Sequence, residues 1–168
     1  MNKLIRKIGS TVTAAITLVA LTAHTQTFSS QDRPLLKSDA VLYLFPEQVT
    51  VSAGKSSPIN LHFRVAPGLH INSHAPSEDY LIPTTFSIPD GAGVKLDKAT
   101  YPSGVYITLP GDPNTKLSVY TGEFTIQTQI VATPGNHLVE ANLRYQACNQ
   151  SQCFPPKTVP VAIDVIGK

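Results

Sequence analysis

The strongest constraint on this chain is a repeat of two, interrupted at short intervals by proline and glycine. Ile59, Leu61, Phe63 and Val65 alternate with their neighbours, as do Phe124, Ile126, Thr128 and Ile130. Val139, Ala141, Leu143 and Tyr145 do the same, followed later by Val159, Val161, Ile163 and Val165. Alternation of this kind places one set of side chains on one face of a strand, and no long stretch shows the period of a helix. Fourteen prolines and ten glycines divide the chain into short segments. Candidate strands are 41–45, 48–52, 59–65, 69–72, 84–88, 94–99, 116–120, 124–132, 137–146 and 158–166. Asp90-Gly91-Ala92-Gly93 and Thr133-Pro134-Gly135-Asn136 are the clearest turns. Many short strands separated by turn signals indicate an all-β sandwich or barrel.

Both cysteines, Cys148 and Cys153, lie between the last two alternating runs. A short polar loop therefore joins them, and that geometry brings their Cα atoms within reach of a disulfide. Two roles are open to the pair. One is a structural brace, common in exported proteins. The other is a redox couple that opens and closes. In the chain-entropy model a six-residue loop stabilises by only about 2 kcal/mol, against roughly 4.7 for a hundred-residue loop. A brace placed for stability would link distant strands, so the short loop favours redox chemistry. Spacing alone does not decide it.

The flanking residues add to this. Tyr145-Gln146-Ala147-Cys148, then Cys153-Phe154-Pro155-Pro156-Lys157-Thr158-Val159-Pro160-Val161, resembles the N-terminal periplasmic domain of the thiol:disulfide interchange protein DsbD. That family has a Tyr-Gln-Gly-Cys-like entry, a short loop and a Cys-aromatic-Pro-Pro exit. Ala147 stands where the family usually has glycine. Pro155 and Pro156 have fixed φ and no N–H, so the exit is stiff and stays off a ladder. The resemblance continues through Ala66-Pro67-Gly68-Leu69-His70-Ile71-Asn72, Leu81-Ile82-Pro83-Thr84 and Leu117-Ser118-Val119-Tyr120-Thr121-Gly122-Glu123-Phe124.

The resemblance implies an immunoglobulin-like β-sandwich with the cysteines at one end of the strands. It implies thiol:disulfide exchange through Cys148 and Cys153, with Cys153 engaging partners and Cys148 resolving. Tyr145, Gln146, Phe154, Pro155, Pro156 and His70 would surround the pair. In the family a cap loop carries a phenylalanine that covers the disulfide until a partner docks. The matching stretch, 101–116, has no phenylalanine, which leaves Tyr106 or Leu109 to substitute. A plain surface hairpin is the other reading of that stretch. Implied partners are a thioredoxin-like or membrane electron donor and oxidised exported proteins, with no cofactor. Complete DsbD proteins add a membrane conduit and a thioredoxin-like domain. Electrons would here come from a separate protein.

Residues 1–23 read as a secretory signal. Lys3, Arg6 and Lys7 are followed by an apolar run from Val12 to Leu21, and then by small residues. The run is short for a membrane span, so the processed chain is expected to be periplasmic and not membrane-spanning. Residues 24–38 read as a flexible leader, and 39–168 as the domain. The formal charge of +2 owes much to the signal: without those three residues, ten basic side chains face eleven acidic ones. Such a balance does not suggest nucleic acid or an anionic membrane surface as partner.

Two other functions compete. A non-catalytic sandwich would use the same fold to bind proteins, with the cysteines as a fixed brace. An exported copper module would use His62, His70, His74, His137 and the thiols, but no tight ligand spacing appears and no metal is assigned. Nucleophile-elbow, phosphate-loop and Cys-x-x-Cys signatures are missing. An antibody-type domain would need distant cysteines and a tryptophan, and this chain has none.

Overall fold

The computed structural model describes residues 40–44, 48–109 and 111–168, so the signal and leader expected over residues 1–38 lie outside the described residues. The strands are β1 (Val41–Tyr43), β2 (Gln48–Val51), β3 (Ser57–Val65), β4 (His70–Asn72), β5 (Thr85–Ser87) and β6 (Val94–Thr100). They continue with β7 (Val105–Leu109), β8 (Asp112–Tyr120), β9 (Glu123–Ala132), β10 (Gly135–Tyr145), β11 (Ala147–Cys148) and β12 (Lys157–Gly167). No helix occurs among the described residues.

These strands form three sheets, ordered β1-β3-β9-β6, β2-β12-β10-β5 and β11-β4-β8-β7. The first two supply one continuous core, which makes the fold an immunoglobulin-like β-sandwich. Leu61, Phe63, Ile126 and Ile130 enter from the first sheet, and Val139, Ala141, Leu143, Val161 and Val165 from the second; all are buried. Each large apolar side chain removed from water contributes about 2 kcal/mol. Thr128, polar within the alternating run of β9, donates to the Ile59 carbonyl at 3.1 Å and is thereby satisfied in the interior.

Ten of the strands match the sequence pattern to within a few residues. Pro58 and Pro160 lie inside strands, although neither has an N–H to give to a ladder. Pro58 pairs only with Gln129 of β9, because β1 pairs no further than Val65 to Phe63. Pro160 pairs only with Asn142 of β10, because β2 lies against residues 164–167. Each proline thus sits where its strand has one neighbour, and no ladder bond is lost.

Two strands were not legible from alternation. β7 is an edge strand, with Val105 and Tyr106 exposed, so it shows no buried face to read. β11 has two residues, too few for any period. The sequence pattern also carries one strand straight through to Gln146. Instead, β10 stops at Tyr145 and the chain crosses at Gln146 from the second sheet to the third.

Candidate redox site

Strands β10 and β12 pair from Gly135↔Gly167 to Tyr145↔Lys157. Residues 146–156 leave the sandwich at the end of that ladder. Ala147 and Cys148 pair with Ile71 and His70 of β4, which ties the departing segment to the third sheet. The chain then reverses over four residues. Asn149 Oδ1 accepts the N–H groups of Ser151 and Gln152, both at 2.8 Å, an Asx-type turn. Asn149 N donates to Gln152 O at 2.9 Å, and Phe154 N to Ala147 O at 2.8 Å. These bonds flank Cys148 and Cys153, making them a non-hydrogen-bonded antiparallel pair, the closer of the two kinds. Their Cα atoms are 3.9 Å apart and the sulfurs are joined as a disulfide.

The two sulfurs have different surroundings. Cys148 is 2% exposed and lies three residues beyond the buried Tyr145. Cys153 is exposed, as are Pro155 and Pro156, and residues 154–156 join no strand. Phe154 is half-buried and packs against the core, which anchors the exit just beyond the exposed sulfur.

Gln146 holds the arrangement together. Its Nε2 donates to Phe154 O at 3.1 Å, and its Oε1 accepts from Asn72 Nδ2 at 3.3 Å. Asn72 in turn donates to Ile82 O at 3.0 Å and receives the Thr84 hydroxyl on its carbonyl at 2.6 Å. Asn72 and Thr84 are fully buried, and sequence reasoning did not assign them a role. Alternation gave no signal for either: Asn72 follows Ile71 in β4, where period two expects a polar residue, and Thr84 precedes β5. Asn149 was likewise passed over, although an asparagine two residues before Ser151 is a standard turn former.

His70 is buried opposite Cys148, and burial holds its imidazole below its ordinary pKa. The other histidines lie elsewhere. His62 bonds Thr125 at 3.0 Å, His137 donates to Thr133 O at 2.9 Å, and His74 donates to Thr84 O while stacking on Tyr101. Among the described residues, no three His, Cys, Asp or Glu side chains converge to hold a metal.

Tyr106 and Leu109 lie on β7, paired with Ser118 and Asp112 of β8. In the third sheet β4 and β8 stand between β7 and β11. Tyr106 is exposed and borders a cleft of about 660 Å³, shared with Tyr101, Gly104 and Tyr120.

Among known proteins, a solved structure and a family are similar to this chain. The crystal structure of the Neisseria meningitidis DsbD N-terminal domain in the reduced form is similar at 18% sequence identity, covering 68% of this chain and 82% of that one, with a TM-score of 0.46. No curated protein matches the chain. The family described as thiol:disulfide interchange protein DsbD, N-terminal, matches residues 40–164, the cysteine hairpin and most of the described strands included. The chain belongs to that family.

Proposed function

We propose that Cys148 and Cys153 form a reversible disulfide through which this domain passes electron pairs between a thioredoxin-like or membrane donor and oxidised exported proteins in the periplasm. The observation that carries this is the pairing of one buried and one exposed sulfur on a hairpin outside the sandwich core. A brace gains little from so short a loop, about 2 kcal/mol. An exchange partner, in contrast, needs one sulfur within reach and one protected.

The chemistry runs in two displacements. A donor thiolate attacks Cys153 Sγ, the Cys148–Cys153 bond breaks, and Cys148 leaves as a thiolate that takes up a proton. The donor's second thiol gives up its proton and displaces Cys153 from the mixed disulfide. The donor is then oxidised and the domain holds two thiols. Delivery is the reverse: Cys153 attacks the target's disulfide, Cys148 displaces the target, and the target leaves with two thiols. The β7–β8 hairpin, with Tyr106 and Leu109, serves as the family's cap.

Mixing the oxidised domain with a reduced thioredoxin-like protein, then quenching with acid and alkylating, tests the proposal. Two free thiols per domain should appear within seconds to minutes, with matching oxidation of the donor. A disulfide that persists while the donor stays reduced identifies a brace.

A further inference from the structure

One buried polar atom beside the cystine is left without a partner. His70 lies directly across from Cys148 in the β4–β11 pair. Directly opposed residues of an antiparallel pair project from the same face, with Cβ atoms about 5 Å apart. His70 is 7% exposed and Cys148 2%. The Nε2 atom of His70 is buried with no hydrogen bond. Such atoms are rare because each costs free energy, so this one calls for a cause.

The redox state of Cys148 supplies the cause. In the disulfide, Cys148 Sγ carries no proton and has nothing to donate. In the dithiol it becomes an S–H donor, facing a ring whose unprotonated nitrogen is an acceptor. Burial disfavours the imidazolium, so the ring is available as a base near neutral pH. A thiol in apolar surroundings is a poor acid, and it must lose its proton before it attacks. On the other side of β4, Tyr120 lies opposite Ile71. Its hydroxyl is committed to His74 N and Pro102 O, so it does not compete for this proton.

We propose that His70 takes the Cys148 proton when the dithiol closes to the disulfide, and returns it when the disulfide opens. This rests on the redox reading above. In delivery, Cys153 has already displaced one sulfur of the target. The Cys148 proton moves to His70, the Cys148 thiolate attacks Cys153 Sγ, and the target's second sulfur leaves as a thiolate. That thiolate recovers a proton from the imidazolium or from water. One S–S bond forms as another breaks, and no further reactant is needed.

The test is single-turnover oxidation of the reduced domain by oxidised glutathione. Attack by Cys153 depends on glutathione concentration, and resolution by Cys148 does not, so the two rates separate. His70→Gln should lower the ratio of resolution to attack at least about tenfold, a threshold set below the roughly 10²–10⁴-fold that a positioned base typically supplies. In the wild-type domain, the ¹⁵N shift of His70 Nε2 should move when the disulfide is reduced. A folded His70→Gln domain with the wild-type ratio overturns the inference and leaves the redox reading intact. An Nε2 shift that is the same in both redox forms also overturns it, and that measurement needs no variant. A wild-type dithiol that never resolves the mixed disulfide overturns the redox reading and the inference together.

Discussion

Cys148 and Cys153 share one bond and opposite surroundings: Cys148 is buried against β4, and Cys153 stands at the surface beside two prolines. Exchange requires approach along an open line to one sulfur, so access assigns the roles. Cys148→Ser should accumulate a mixed disulfide with an oxidised thioredoxin-like partner, as the Cys153 thiolate attacks the partner's disulfide and one partner sulfur leaves as a thiol, visible on a non-reducing gel. Cys153→Ser should trap at least about tenfold less. Equal trapping by the two variants would contradict the assignment.

Gln146 bridges β4 and the exit from the cystine through Asn72 and Phe154. Gln146→Ala removes both bonds, each worth about 1 kcal/mol. Urea unfolding should show a loss of about 1–2 kcal/mol on the same scale. Reduction of the disulfide by dithiothreitol should also be faster, because the hairpin is less well held. A variant that matches the parent in both measurements would remove Gln146 from the support of the site.

The sandwich itself was written plainly in the sequence. The alternation of Ile59, Leu61, Phe63 and Val65 maps onto one buried face of β3, and that of Val139 to Tyr145 onto one buried face of β10. The cysteine hairpin was legible from spacing, and the family resemblance placed His70 near it. Its register opposite Cys148 was not legible, because β4 and β11 are 75 residues or more apart and period two does not say which strands pair. The switch between sheets at Gln146 was hidden for a similar reason, since its consequence is which neighbour a strand finds. Asn72 and Thr84 escaped because their value lies in partners from distant segments. β7 escaped because an exposed edge needs no apolar face.

The depressed proton affinity of His70 sets a pH dependence for the oxidised domain. Desolvation holds the folded pKa below the unfolded value, near 6.5. Below that pH the unfolded chain binds a proton that the folded chain still refuses. Stability therefore falls as pH drops through about 6.5 toward the folded pKa, and is fully present above it. Urea midpoints at pH 7.5, 6 and 5 should decline more steeply for the parent than for His70→Phe. Parallel declines would show that the ring is not the group responsible.

Tyr106 and Leu109 carry the proposed cap on the β7–β8 hairpin. Replacing both by alanine should raise the alkylation rate of the reduced thiols several-fold. The unfolding midpoint should change little, because Tyr106 is exposed and the hairpin forms the far edge of the third sheet. An unchanged alkylation rate would assign the shielding of the thiols to other residues.

The central claim is that the cystine cycles, and its reduction potential tests that most directly. Equilibrating the domain in glutathione buffers of graded ratio, and reading free thiols by alkylation, gives the value. Structural disulfides of secreted proteins typically lie below about −300 mV, whereas exposed, exchangeable ones lie higher. The account predicts a potential above about −300 mV, with both forms folded because the sandwich core does not include the cystine. A potential well below that mark, or loss of the fold on reduction, would contradict it.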